Sequence, residues 1–185
     1  MGAARLRQHR SRGRDPVLDQ RPPGAPGARP VPRGARLTIE VSAVDHIGIR
    51  VRDLARAMKF YEMLGFALHW KAANDAVAVV RNANDVELNL VYNANADAGG
   101  KNVLMDIGEK YPGYTHVALR VASIKAALET LSRNGVRITQ GPVSFGRDGH
   151  VSVFVRDPDL NVVELRGREE DLSSIGGVVE YVSQN

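Results

Sequence analysis

The chain has 185 residues, a formal net charge of +4, 43% hydrophobic residues and no Cys. The absence of Cys excludes a disulfide framework and a thiolate metal site or nucleophile, and no apolar run reaches the roughly 18 residues of a membrane span. We therefore expect a cytoplasmic protein from a reducing compartment, with no membrane as its partner.

The basic charge is concentrated in the first 37 residues. This segment holds nine of the 25 Lys and Arg and six of the nine Pro, and the rest of the chain is mildly acidic. A basic segment rich in Pro and Gly, without aromatic residues, is typical of a disordered extension and offers no stacking platform for nucleic acid. We predict that residues 1–37 are a disordered Arg/Pro-rich extension and that the protein binds no nucleic acid. A mitochondrial transit peptide and a start upstream of the natural one are the alternatives for this segment.

The next part of the chain has the pattern of a strand, a helix and three strands. VDHIGIRV (44–51) alternates polar and apolar residues and predicts a strand. DLARAMKFYEMLGF (53–66) repeats apolar residues at helical spacing, with Asp53 as its N-cap and Gly65 as its stop. Three further strands are predicted at ALHWKA (67–72), AVAVVRN (76–82) and VELNLVYN (86–93), separated by Asn and Asp turns.

The second half repeats this order. GYTHVALRV (113–121) predicts a strand, and SIKAALETLSRNG (123–135) a helix that begins after Ser123 and stops at Gly135. Three strands follow at VRITQGPVSF (136–145), HVSVFVRDP (150–158) and NVVELRG (161–167). We predict one domain at residues 42–168, built from βαβββ modules at 42–93 and 113–168, with a C-terminal extension at 169–185.

Two His and two Glu stand out in the duplicated pattern. His46 and His116 lie on the strand face opposite the aliphatic residues, and Glu87 and Glu164 each lie in a VEL sequence. A single such residue is more often solvated, but four in register at a pseudo-twofold axis favour a common site. Imidazole and carboxylate donors suit one divalent ion such as zinc, nickel, manganese, cobalt or iron, with positions left open for substrate oxygens.

These motifs resemble the vicinal oxygen chelate superfamily, also called the glyoxalase/bleomycin resistance/dioxygenase group. The resemblance covers residues 42–168 and rests on DHIGIRVRDLARAMKFYEMLGF, on YTHVALRV followed by a helix and NGV, and on FVRDPDLNVVELRG. It implies an α+β fold in which two paired βαβββ modules form an incomplete, cupped mixed β-barrel around a divalent metal. It also implies a homodimer, since members pair their modules within one chain or between two.

Within this superfamily the chain is most similar to glyoxalase I, or lactoylglutathione lyase. The similarity implies that the metal ligands are His46, Glu87, His116 and Glu164. It also implies that Arg50, and a further contact from Arg147, bind anionic groups of a small-molecule substrate.

The ligand on the fourth strand has two candidates. Matching VYN to the YN that follows the family's fourth-strand Glu places Asn89 at the ligand position instead of Glu87. The internal repeat pairs Glu87 with Glu164 and favours Glu87. With Asn89 there, the ligands would be two His and one Glu, as in the dioxygenases and fosfomycin enzymes of the superfamily.

The resemblance implies a carbon–sulfur lyase that converts the hemithioacetal of a 2-oxoaldehyde and a thiol such as glutathione to a 2-hydroxy thioester. Glu164, with Glu87 sharing the role, would remove the proton next to the carbonyl, and the metal would stabilise the enediolate. The alternatives are an extradiol dioxygenase, a fosfomycin-type transferase and a non-catalytic drug-binding member.

Overall fold

The computed structural model describes residues 39–95, 99–145 and 149–182. The predicted extension at residues 1–37 and the predicted anion contact Arg147 lie outside these ranges. The described helices and strands all belong to one structural unit, Ser42–Asn185.

The two helices begin and end at the residues that the sequence marks. They are α1 (Leu54–Met63) and α2 (Ile124–Arg133). The Asp53 side chain accepts a hydrogen bond from the backbone N–H of the first turn of α1 at 2.7 Å, and Ser123 does so for α2 at 3.3 Å. Beyond each helix a glycine takes a positive φ, +86° at Gly65 and +65° at Gly135, where a Cβ would be strained. Among the described residues no helix is both long and apolar enough to cross a membrane.

The strands form two mixed sheets. They are β1 (Ile47–Arg50), β2 (Ala67–Lys71), β3 (Val77–Arg81), β4 (Glu87–Val91), β5 (Val117–Arg120), β6 (Ile138–Ser144), β7 (Val151–Arg156), β8 (Val162–Gly167) and β9 (Val179–Glu180). The first sheet has the order β1-β4-β3-β2 and the second β5-β8-β7-β6-β9. In each sheet the strand before the helix lies parallel to the last strand of its module, β1 to β4 and β5 to β8.

This order confirms the predicted α+β fold with two βαβββ modules. The second module carries one strand more than the first, because β9 pairs parallel to β6 at its outer edge. The two sheets do not close into a barrel over the residues described.

Each sheet buries an aliphatic face, and its other face carries the polar residues of the predicted site. On β1, Ile49 is buried while Gly48 and Arg50 are exposed, as the two-residue strand period requires. The buried faces and the apolar stripes of both helices form one hydrophobic core that spans the two modules. Its members include Val51, Phe60, Tyr61, Leu88, Leu90, Ile124, Leu131, Val153, Val163 and Leu165.

A set of hydrogen bonds and ion pairs, called here the inter-module latch, joins the two modules. Tyr61 of α1 donates its hydroxyl to the buried carboxylate of Asp157 at 3.0 Å. Asp159 accepts bonds from the backbone N–H and the Nε of Arg52 and from Arg56. Burial of the phenol, and then the charge of Asp157, raise the pKa of Tyr61 above its ordinary value. The latch fixes the turn between β7 and β8 against α1.

Candidate active site

His46 and Glu87 lie side by side at one end of the first sheet. His46 immediately precedes β1 and Glu87 opens β4, and the register of these parallel strands, with Ile47 opposite Leu88, brings the two side chains together. Ligand atoms of Asp45, His46 and Glu87 all lie within 4.8 Å of one another. Two ligand atoms at about 2.0–2.2 Å from one ion are at most about 4.4 Å apart, so the three groups fit a divalent cation after a small movement.

Each member of this group already has a polar neighbour. His46 Nδ1 and Asp45 Oδ1 are 2.7 Å apart, which leaves Nε2 of the imidazole for a ligand. Arg81 donates to Glu87 Oε2 at 2.6 Å, and this hydrogen bond raises the pKa of Arg81. A cation bound by Glu87 therefore competes with, or shares, the carboxylate of an existing ion pair.

The second module places Glu164 on β8, in a more enclosed setting. The residue is 4% exposed, and its Oε1 accepts bonds from Ser152 Oγ at 2.6 Å and from Arg166 Nη1 at 3.0 Å. Its Oε2 lies 3.1 Å from His116 Nε2. One oxygen is thus held by the protein, and the other faces the imidazole.

His116 immediately precedes β5, as His46 precedes β1. Its Nδ1 lies 2.9 Å from Thr115 Oγ1, and its ring packs edge-on against Phe154. In both modules the residue just before the His therefore contacts Nδ1 and leaves Nε2 directed at a carboxylate or the open face. The repeat thus extends to the groups that hold the imidazoles.

The four predicted ligands form two pairs within one chain. His46 lies with Glu87, and His116 with Glu164. Over the part of the chain that the structure describes, Asp45, His46 and Glu87 are the one group of three His, Asp or Glu donors within 4.8 Å of each other. The convergence of both pairs on one ion is therefore not seen within a single chain and stays a prediction.

The strand register shows which residues of the two modules occupy equivalent positions, and these differ from the pairs expected from the sequence. Asn89 lies opposite Gly48 on β1, and Glu164 lies opposite Ala118 on β5. Gly48 and Ala118 each follow the His of their module by two residues, so Asn89 is the structural counterpart of Glu164. The pairing of Glu87 with Glu164, expected from the two VEL sequences, is wrong, because hydrogen-bond register and not local sequence identity decides which positions correspond.

Asn89 carries a polar atom that is buried without a hydrogen-bond partner among the described residues, its side-chain Oδ1. Such an acceptor costs free energy unless something donates to it or binds it. Asn89 lies on the polar face, two residues along β4 from Glu87. Both residues thus remain candidates for the ligand of the fourth strand.

Arg50 lies on the same face as His46, at the other end of β1. It is exposed and donates to Asn93 Oδ1, so its guanidinium is held beside the sheet. This position suits an anion contact on the same sheet face as the predicted metal site.

The sequence prediction did not include Ser152, Arg166 or Asp45. Arg166 lies two residues after Glu164 on the same face of β8, and Ser152 is its cross-strand neighbour on β7. A signal existed in the strand period, since a Ser among valines in HVSVFV and an Arg two residues after the Glu both occupy the polar face.

A cavity of about 830 Å³ lies away from these pairs. It is open to solvent and is lined by the end of α1, the turn after β3, β5, α2 and the residues after β8, with Phe66, Asn84 and Ala126 in its walls. None of the four predicted ligands is among its described lining residues. The candidate chemistry thus lies at the two His–Glu pairs and not in this cavity.

The sequence model of the Glyoxalase/Bleomycin resistance protein/Dioxygenase superfamily matches residues 43–165. The chain belongs to this superfamily. The predicted resemblance is confirmed, and the match spans both βαβββ modules up to β8. Members of the superfamily typically use a divalent metal, which agrees with the Asp, His and Glu group at the end of the first sheet.

The proteins to which the chain is similar have names that describe different activities. The lactoylglutathione lyase of Haemophilus influenzae is 29% identical to the chain over 141 residues, which cover 71% of the chain and 96% of the relative. A glyoxalase family protein from Bacillus cereus has a structure with a TM-score of 0.55 and 17% identity, covering 74% of this chain and 100% of that one. A fosfomycin resistance protein from Listeria monocytogenes has a TM-score of 0.52 and 16% identity, covering 68% and 91% of the two chains. These structural similarities establish the fold.

Proposed function

We propose that the protein is a divalent-metal-dependent, glyoxalase-I-like lyase that converts the hemithioacetal of a 2-oxoaldehyde and a thiol to a 2-hydroxy thioester. The observation that carries this proposal is the setting of Glu164, a buried carboxylate with Oε1 held by Ser152 and Arg166 and Oε2 beside His116. The similarity to a lactoylglutathione lyase supports the same class of reaction.

The residues that would hold the metal come from both modules. They are His46, Glu87, His116 and Glu164. Imidazole nitrogens and carboxylate oxygens suit zinc, nickel, manganese, cobalt or iron. A metal bound there would act as a Lewis acid toward the vicinal oxygens of the substrate.

A homodimer would bring the two pairs together. Within one chain the His46–Glu87 pair and the His116–Glu164 pair do not form one cluster among the described residues. Placing the first-module face of one copy against the second-module face of another would complete the ligand set. In a twofold-symmetric dimer this contact occurs twice, so each dimer would have two sites.

The proton transfer falls to Glu164. Its Oε1 is occupied by two donors, so Oε2 is the oxygen that can accept the proton from the hemithioacetal carbon and return it to the neighbouring carbon. The hydroxyl proton of the hemithioacetal must also pass to the neighbouring carbonyl oxygen. The substrate and the product are then isomers in which one carbon is oxidised and its neighbour reduced, so no external oxidant or reductant is needed. Arg50 would orient an anionic group of the thiol, such as a carboxylate of glutathione.

The direct test is to incubate the purified protein with methylglyoxal and glutathione, in the presence of each divalent metal in turn, and to measure thioester formation. We expect turnover with at least one metal and a loss of about 10²- to 10⁴-fold in kcat for Glu164→Gln, since the amide cannot accept the proton. A Glu169→Gln variant, at an exposed acid near the end of the same strand, is the matched control and should retain activity. No thioester with any metal would rule out the lyase.

A second candidate is supported by the register that makes Asn89 the counterpart of Glu164. With Asn89 at that position the set of imidazole and carboxylate ligands is His46, His116 and Glu164. Two His and one carboxylate are typical of non-haem Fe(II) oxygenases. Oxygen uptake by the iron-loaded protein with a catechol, without thioester formation from methylglyoxal, would favour this dioxygenase.

A further inference from the structure

The segment after β8 folds back onto the edge of the second sheet. It passes through a short 3₁₀ turn at Leu172–Ser174 and buries Ile175 in the core before it forms β9. Val179 and Glu180 pair with Val143 and Ser144 of β6, and the Tyr181 N–H donates to the Ser144 carbonyl at 2.8 Å. The segment therefore has a fixed place beside β6.

Two aromatic rings connect this segment to the polar face of the sheet. The Tyr181 ring packs on Phe145 with their centroids 5.0 Å apart. The guanidinium carbon of Arg166 lies over the other ring of the pair, 5.7 Å from the Phe145 centroid. A guanidinium at this distance is attracted by the face of the aromatic ring, so Phe145 limits the positions that Arg166 can take.

Arg166 in turn holds the candidate base. Its Nη1 donates to Glu164 Oε1 at 3.0 Å and to Ser152 Oγ at 3.2 Å. Ser152 is fully buried and donates to the same Glu164 oxygen at 2.6 Å. A continuous series of contacts thus runs from Tyr181 through Phe145 and Arg166 to Glu164.

We propose that the C-terminal segment, residues 175–181, positions Glu164 by way of Phe145 and Arg166. In this arrangement Tyr181 and Arg166 are positioning residues, and Glu164 keeps Oε2 directed at His116 because both of its Oε1 donors are fixed. The segment lies beyond residues 43–165, which the superfamily model matches. The consequences for catalysis and for metal binding by Glu164 rest on the function proposed above, whereas the consequence for the position of Arg166 does not.

The test compares three variants in the full-length chain. Tyr181→Ala removes the ring that packs on Phe145, Tyr181→Phe keeps it, and Val179→Ala changes an exposed side chain of β9 as the matched control. The measurements are Zn²⁺ affinity of the metal-free protein by calorimetry, the NMR signals of the Arg166 guanidinium assigned with Arg166→Lys, and kcat and KM for thioester formation.

We expect Tyr181→Ala to bind Zn²⁺ about 10-fold more weakly and to broaden or shift the Arg166 signals, as for the loss of an outer partner of a metal ligand. Its kcat should fall by a similar factor, with KM unchanged. Tyr181→Phe and Val179→Ala should match the wild type. Wild-type Zn²⁺ affinity and Arg166 signals in Tyr181→Ala would overturn the proposal, and so would equal losses in Tyr181→Ala and Val179→Ala. If no variant, nor the wild type, forms thioester while Zn²⁺ binding and the Arg166 signals respond as expected, the lyase proposal fails and the positioning role stands.

Discussion

Glu164 and Glu87 are both carboxylates on a polar sheet face, but their surroundings favour different roles for them. Glu164 is buried, and its two oxygens have separate neighbours. Glu87 is more exposed and has one oxygen in an ion pair with Arg81. A base needs a fixed position, and Glu164 has one because two donors hold its Oε1 and its Oε2 faces His116.

The fourth-strand ligand can be assigned by a pair of substitutions. Because Glu87 already lies within reach of His46, we expect Glu87→Gln to weaken Zn²⁺ binding about 10-fold, and Asn89→Ala to change it less than about twofold. Calorimetric titration of the metal-free variants measures both. A larger effect of Asn89→Ala would move the ligand position to Asn89 and explain its unpartnered Oδ1.

At this scale the sequence predicted which His and Glu face the polar side, because that depends only on the two-residue strand period. It did not predict the correspondence between Asn89 and Glu164, since Glu87 and Asn89 share a face and the period cannot separate them. The hydrogen-bond register across β1 and β4 separates them, and register is a property of two strands. Ser152 was missed for the same reason, since it reaches Glu164 across strands, whereas Arg166 lies on the same strand and its face follows from the strand period.

The helix ends are the elements that the sequence marks most directly. Asp53 caps α1 through a bond to the Arg56 N–H, so we expect Asp53→Ala to lower the free energy of unfolding by about 1 kcal/mol. Asp53→Asn should lose much less, because Asn caps equally well. Urea unfolding of both variants measures the difference, and equal losses would show that the charge of Asp53, and not its capping oxygen, is what matters.

The eight longer strands and both helices follow from periodicity and turn residues, whereas β9 does not. Its two residues are too short for any pattern, and it exists because β6 offers an unpaired edge. The packing of Tyr181 on Phe145 depends on that pairing, so the sequence pattern did not predict it either.

Complementation between chains tests the homodimer. A His46→Ala chain and a His116→Ala chain each lack one pair, but a mixed dimer would contain one site built from the two intact pairs. With random association, co-expression of the two should restore about a quarter of the wild-type activity. A mixture of His46→Ala and Glu87→Gln damages the same half and should stay inactive. No recovery in the first mixture would place all four ligands of each site in one chain.

The inter-module latch predicts a pH dependence of stability. Burial raises the pKa of Tyr61 in the folded state, so above pH 10 the unfolded chain loses this proton while the folded protein keeps it. The free energy of unfolding should therefore fall above about pH 10, by up to about 1.4 kcal/mol per pH unit from this group. Tyr61→Phe removes the proton and should show a shallower fall in urea unfolding between pH 8 and about 11. Parallel curves for the two proteins would contradict the assignment.

For the whole molecule the sequence predicted a duplicated α+β domain but not the separation of the two ligand pairs. The repeat indicates which residues of the two modules have the same role. It does not indicate whether a module packs against the other module of its own chain or against a module of another chain. That choice depends on the contacts between modules, such as those of Tyr61 with Asp157 and of Arg52 with Asp159, which join residues about a hundred positions apart.

The hydrophobic core that spans both modules has a consequence for the origin of the chain. A single βαβββ unit with these residues would expose the apolar face of its helix. An ancestor with one unit would therefore need another molecule to cover that face. If two such genes were fused, the association of the two units would become intramolecular. It would no longer depend on protein concentration, because the linker sets their effective concentration. Each half could then diverge, as the amide of Asn89 and the carboxylate of Glu164 illustrate, without losing the neighbour that keeps it folded.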